Sequence, residues 1–221
     1  MAMSKRVHVY QSEQIIVRWD AGRCIHAAEC VARLPEVFDT SQRRWVQPDH
    51  APASDVAEAV RRCPTGALHF ESVEGDASEA IPPTNTITLV QNGPLYVRGN
   101  LRIAGPDGAE LVRDTRVALC RCGASTNKPF CDNTHLDNDF RADGLLREHD
   151  AHPTPDAGVS APVLSIQIEA AGPYHIQGEM DIYGPAGRLL AHTDDAWFCR
   201  CGGSADKPFC DGTHGQNGFE D

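Results

Sequence analysis

Aromatic residues are scarce in this sequence, at 6% of 221 positions against 41% hydrophobic residues overall. That scarcity argues against one large aromatic-rich core and points to small domains instead. Basic residues are also short: 20 Lys and Arg face 31 Asp and Glu, for a formal net charge of −11. Clustered cations are what bind a phosphate backbone, so nucleic acid is not an expected partner. The acidity suits docking to a basic surface, or simply a soluble surface far from its isoelectric point. No apolar run approaches the ~20 residues of a membrane span, and Met1–His8 holds no apolar stretch of signal type. The expectation is a cytoplasmic chain with no membrane partner. There is no Rossmann fingerprint, P-loop or nucleophile constellation, so a substrate-transforming enzyme is not expected.

What the chain does have is nine cysteines, 19 glycines and 15 prolines. The glycine and proline content favours short strands and turns over long helices. An odd number of cysteines fits a disulfide framework poorly, and a reducing compartment makes metal binding the commoner use. The cysteines fall in three groups of three: Cys24, Cys30 and Cys63; Cys120, Cys122 and Cys131; Cys199, Cys201 and Cys210.

Two of these groups belong to an internal repeat. Cys120 and Cys199 stand 79 residues apart (199 − 120), as do His135 and His214 (214 − 135). The same offset relates Gly93-Pro94 to Gly172-Pro173 and Phe140 to Phe219, and no gap is needed from about 86 to 140. Apolar/polar alternation through Ile87, Leu89, Leu95, Val97, Leu101 and Ile103 predicts half-buried strands, as do Leu164, Ile166, Ile168, Met180 and Ile182. Gly105–Gly108 and Gly184–Gly187 read as turns. Short strands near Thr115–Leu119 and Asp194–Phe198 lead into the first cysteine of each copy.

The N-terminal segment has another character. Gln14–Trp19 and Ala67–Phe70 read as strands, Ala27–Leu34 as a short helix stopped by Pro35, and 55–62 as a helix capped by Ser54. Glu71–Pro83 and His149–Pro162 read as linkers. The domains so delimited are 1–75, 84–148 and 161–221.

Each repeat carries Cys-x-Cys and Cys-x3-His within sixteen residues, at 120–135 and 199–214. A [2Fe–2S] cluster needs two ligands on each iron with tetrahedral geometry. Cys-x-Cys can grip one iron, and Cys-x3-His, four apart on one helical turn, the other. Asp132 and Asp211 are placed to hold the first amides of that turn, and Gly212 and Asn133 to take a left-handed backbone. Three Cys and one His also satisfy structural zinc, and spacing alone leaves both open.

Both motifs resemble the signature of the CDGSH iron–sulfur family, Cys-x-Cys-x2-Ser/Thr-x3-Pro-x-Cys-Asp-Gly-Ser/Ala/Thr-His. The second copy matches throughout, and the first departs only at Asn133. The resemblance implies a redox-active, acid-labile or transferable [2Fe–2S] cluster on Cys120, Cys122, Cys131 and His135, and another on Cys199, Cys201, Cys210 and His214. Many members of that family pair two protomers through a β-rich cap; the resemblance implies that the two repeats here form that pair within one chain. Replacing one thiolate by a neutral imidazole should raise the potential above the all-Cys value and make cluster retention depend on pH.

The third group, Cys24-Ile25-His26-Ala27-Ala28-Glu29-Cys30 with the distant Cys63-Pro64, resembles the divergent single-cluster ferredoxin family over about residues 7–73. Ala27 stands where a second cysteine would be expected. Three thiolates suit a [3Fe–4S] cluster, or a [4Fe–4S] cluster with a labile iron held by solvent or by His26. The other reading is three structural cysteines without a cluster. The remaining histidines, His8, His50, His69, His149, His152, His175 and His192, have no ligand spacing. Lys128 and Lys207 either tune or shield the clusters or are plain loop lysines.

The expected fold class is α+β: a small ferredoxin-like domain, then two β-rich repeats packed as an intrachain pseudo-dimer. The expected function is one-electron transfer among two [2Fe–2S] clusters and a [3Fe–4S] or [4Fe–4S] cluster, with a redox protein as donor or acceptor. Cluster transfer to an apo-acceptor or redox sensing is one alternative, and a zinc-stabilised interaction module is another.

Overall fold

The computed structural model describes residues 7–75, 79–146 and 161–220. His149, His152 and most of the 149–162 linker lie outside the described residues, as do the first six residues. The chain divides into two compact units, 1–80 and 81–221.

The first unit mixes strands and helices. Strands β1 (Val7–Gln11), β2 (Ile15–Asp20) and β3 (Leu68–Ser72) form an antiparallel sheet in the order β1-β2-β3. Ile15 and Val17 alternate inward from β2 and Leu68 and Phe70 from β3, against Val56, Ala59 and Val60 of helix α2 (Ala53–Arg61). The sequence reading differs from this in four places. β1 escaped it because Val7 and Val9 are exposed and show no buried alternation; backbone pairing with β2 makes the strand. Glu71 and Ser72 extend β3 rather than starting a linker. Helix α1 spans only Glu29–Arg33, because His26 and Ala28 take left-handed φ values of 56° and 63° that a right-handed helix excludes. Helix α2 begins after Pro52, while the hydroxyl of Ser54 bonds Asp55 and caps nothing.

The second unit is a six-stranded sheet. Its strands are β4 (Thr86–Leu89), β5 (Leu95–Ala104), β6 (Glu110–Leu119), β7 (Val163–Ile168), β8 (Tyr174–Tyr183) and β9 (Leu189–Phe198). The last strand of each copy is ten residues long, twice the expected length, because hairpin pairing continues past the buried stretch. The expected turns form, with Gly108 N–H bonded to Gly105 O and Gly187 N–H to Gly184 O.

The two copies exchange strand contacts. β4 pairs antiparallel with the first half of β5 and parallel with residues 181–183 of β8. In return β7 pairs antiparallel with the first half of β8 and parallel with residues 100–104 of β5. Register shifts between Arg98 and Leu101 and between Gln177 and Met180 mark where each long strand changes partner. Inward-facing Ile87, Leu95, Val97 and Leu101 from one copy and Ile166, Tyr174, Ile176 and Met180 from the other share one buried core. That core holds the ends of β6 and β9, from which the first cysteine of each motif emerges.

Candidate metal centres

In each copy the sequence-predicted donors come together two by two. Cys120 Sγ lies 3.7 Å from Cys122 Sγ, and Cys131 Sγ lies 3.4 Å from His135 Nδ1. The second copy gives 3.8 Å for Cys199–Cys201 and 3.3 Å for Cys210–His214. Tetrahedral bonds of about 2.3 Å to sulfur and 2.0 Å to nitrogen place two sulfurs about 3.8 Å apart and a sulfur–nitrogen pair about 3.5 Å apart. Each pair therefore matches one edge of a metal tetrahedron. Among the described residues, no three His, Cys, Asp or Glu side chains gather closely enough to share a single ion.

Local structure produces the pairs. A 3-10 turn over Thr134–Leu136, and another over Thr213–Gly215, brings each histidine back onto its cysteine. Entry to that turn needs the left-handed backbone, which Asn133 takes at φ 72° and Gly212 at φ 85°. Asp132 Oδ1 accepts the Thr134 amide at 3.1 Å, and Asp211 Oδ1 the Thr213 amide at 3.0 Å. Ser125 and Ser204 close the loops by donating to Phe130 O and Phe209 O, both at 2.7 Å. Backbone amides aim at sulfur: Asn133 N–H at Cys131, Gly203 N–H at Cys201 and Gly212 N–H at Cys210. Such donors stabilise a thiolate or a cluster sulfur.

The electrostatics suit thiols that a cation must deprotonate. The hydrogen bond between Cys120 and Cys122 pushes Cys120 far up, with burial adding to it, and pulls Cys122 down against the opposing effect of burial. Burial raises Cys131 and Cys199 to about 11 and raises Cys210 as well. Metal binding is the ordinary way for such buried thiols to lose their protons. Burial also lowers the His135 imidazole, favouring the neutral form that can coordinate.

Sequence reasoning missed Arg121 and Arg200, the middle residues of the two Cys-x-Cys motifs. Both are fully buried. Arg121 donates through Nε to Gly93 O at 2.7 Å and also to Val90 O. Arg200 donates to Gly172 O at 2.7 Å and Glu169 O at 2.6 Å. Burial lowers Arg121 to about 10, while the charges of Cys199 and Asp143 act the other way. The signal was available: the same basic residue stands at the same position of both copies. Lys128 and Lys207 lie over aromatic rings of the opposite copy, 5.7 Å from the Phe219 centroid and 6.0 Å from that of Phe140.

In the first unit Cys24, Cys30 and Cys63 line one cavity of about 420 Å³, together with His26, Ala27, Trp19 and Trp45. Burial and the neighbouring Cys63 and Cys24 raise Cys30 to about 11. Trp19 has a buried indole N–H with no acceptor among the described residues, a donor that anionic sulfur would satisfy. Other histidines have ordinary partners: His50 bonds Glu36 O, His69 meets Glu79, His175 meets Asp195 and His192 meets Asp181. None of the nine cysteines is in a disulfide, and no described helix is long and apolar enough to cross a membrane.

Comparison with known proteins agrees with this layout. The family described as "Iron-binding zinc finger CDGSH type" matches residues 92–136 and 171–215, and "Divergent 4Fe-4S mono-cluster" matches residues 10–72. Two curated relatives, each an "Uncharacterized protein YjdI", come from Escherichia coli strains K12 and O157:H7. Each is 30% identical over 61 residues, which is 28% of this chain and 80% of the relative. No solved structure matches the chain. The chain therefore belongs to the iron–sulfur families these regions define: a divergent 4Fe-4S mono-cluster domain followed by two tandem CDGSH units.

Proposed function

We propose that the chain is a one-electron carrier rather than a substrate-transforming enzyme. Its domains are 1–75, 84–148 and 161–221. The two repeats hold one [2Fe–2S] cluster each, on Cys120, Cys122, Cys131 and His135 and on Cys199, Cys201, Cys210 and His214. Cys24, Cys30 and Cys63 of a ferredoxin-like domain hold a [3Fe–4S] or [4Fe–4S] cluster. The observation that carries this reading is the gathering of donors into two tetrahedral edges per site, repeated at the same spacing in both copies. Two edges suit two irons; one zinc ion would draw four donors to a single point. The shared core and exchanged strands support an intrachain pseudo-dimer, so the working unit is a monomer.

Each cluster supplies a delocalised acceptor for one electron. The protein's part is to bind it, to limit water and to set the potential with one imidazole, buried arginine charge and amide donors to sulfur. The partners are a redox protein donor and acceptor in the cytoplasm. Potentiometric titration of the anaerobic protein, followed by EPR, tests this reading. Reversible one-electron reduction at the paired sites is the expected result; clusters that are lost on reduction, or never reduced, would contradict it.

A second reading has its own support. The second site is half-buried at Cys210 and His214, as a site that hands its cluster to an apo-acceptor would be.

A further inference from the structure

The repeats are alike in sequence, but their two sites are unequal in structure. At the first, Cys131 is 3% exposed and His135 9%, while their counterparts Cys210 and His214 are half-buried. The same holds along the loop: Phe130 and Phe140 are buried, Phe209 and Phe219 only partly so. Asp132 accepts both the amide and the hydroxyl of Thr126, at 2.8 and 2.9 Å. Asp211 receives the amide of Ala205 at 2.7 Å, and alanine has no hydroxyl to add.

The largest difference comes from outside the motif. Tyr174, at the start of β8 in the second copy, is completely buried. Its hydroxyl donates into the first site's loop, 2.7 Å from Cys120 O and 3.0 Å from Pro129 O. Pro129 O also accepts the Cys120 amide at 2.9 Å, so the tyrosine closes a small network behind the first cysteine. Position 95 of the first copy corresponds to Tyr174 under the 79-residue offset and holds leucine, which has no hydroxyl. Cys199 O and Pro208 O of the second site therefore lack this brace.

We propose a division of labour between the two sites, resting on the iron–sulfur reading above. The first site, locked by Tyr174, keeps its cluster as a permanent redox centre. The second is the one that hands its cluster to an acceptor protein bearing free thiols. The exchange replaces each bond from iron to Cys199, Cys201, Cys210 and His214 with one to the acceptor. Each acceptor thiol that binds iron gives up its proton, to a thiolate released here or to water, and iron keeps its oxidation state. Tyr174 is a positioning residue: its hydroxyl bonds the backbone carbonyls of Cys120 and Pro129 and acts by fixing the strand end that carries Cys120.

The test uses the full chain with Cys24, Cys30 and Cys63 replaced by alanine, so that only the paired sites carry clusters, held anaerobically at pH 7.5 with excess EDTA, and follows the loss of cluster absorbance. Two phases are expected, at least about tenfold apart in rate. His214→Cys should slow only the fast phase and His135→Cys only the slow one. Tyr174→Phe should speed the slow phase by roughly two- to tenfold, the range one net hydrogen bond covers, and leave the fast phase unchanged. One uniform phase, or a fast phase that follows His135→Cys, would overturn the proposal. So would a Tyr174→Phe effect shared equally by both phases, which marks a merely structural role. If Tyr174→Phe does not fold, the two histidine variants alone still decide which site is labile. Chains carrying no sulfide at all would instead sink the iron–sulfur reading on which the proposal stands.

Discussion

Gly123 of the first copy lies against the backbone of Cys201 in the second. A methyl group built on Gly123 would stand 2.5 Å from Cys201 O, and one built on Gly202 would stand 2.6 Å from Cys122 O. Both glycines also hold left-handed φ values, 81° and 77°. The two Cys-x-Cys loops thus meet backbone to backbone, and each glycine guards the site of the other copy.

The consequence is a crosswise effect. Gly123→Ala should reduce cluster occupancy mainly at the second site, and Gly202→Ala mainly at the first. Each should also cost at least about 1 kcal/mol from the left-handed backbone alone. Iron and sulfide per chain, measured in variants whose other site is disabled, check the direction; loss confined to the glycine's own site would contradict the contact.

Arg121 sets a buried charge against the buried Gly93 carbonyl and the half-buried Val90 carbonyl. Arg121→Met should destabilise the second unit by roughly 1–3 kcal/mol, because buried Gly93 O loses its donor while Val90 O keeps the Gly93 amide. It should also lower the potential of the second site, since the charge of Arg121 reaches Cys199. Urea unfolding and voltammetry measure the two effects separately.

His135→Cys and His214→Cys each replace a neutral donor by an anionic one. The potential of the altered cluster should fall by on the order of 100 mV or more, and its loss in acid should slow. Voltammograms and bleaching rates identical to wild type would take histidine out of the ligand set.

Partial burial raises the Asp132 carboxyl, but hydrogen bonds from Thr134 and Thr126 outweigh it and bring the group from 3.8 down to about 2. A depressed carboxylate stabilises the fold above its ordinary pKa, and that stability is lost as pH falls from about 4 towards 2. Asp132→Asn should therefore be less stable than wild type at pH 6 and approach it near pH 2. Denaturant midpoints of the metal-free protein across this range would show the convergence.

Much of this was legible in the sequence because spacing and periodicity are local. The Cys-x-Cys and Cys-x3-His pairs follow from short segments, and Asn133 does take the left-handed backbone expected of a glycine substitute. Strand alternation likewise marked Leu95, Val97, Leu101 and Ile103 as inward-facing. What escaped were long-range relationships. Nothing near Tyr174 in sequence points to Cys120, 54 positions away, and the buried role of Arg121 depends on carbonyls 28 and 31 positions upstream. Helix α1 was overread because helix propensity could not foresee the left-handed residues His26 and Ala28 beside Cys24 and Cys30.

The most direct test of the central claim is quantification of iron, acid-labile sulfide and zinc in the anaerobically purified chain. For a variant with Cys24, Cys30 and Cys63 replaced by alanine, the account predicts about four iron and four sulfide per chain and no zinc, with two [2Fe–2S] clusters accounting for all of it. One zinc per repeat with no sulfide would contradict it.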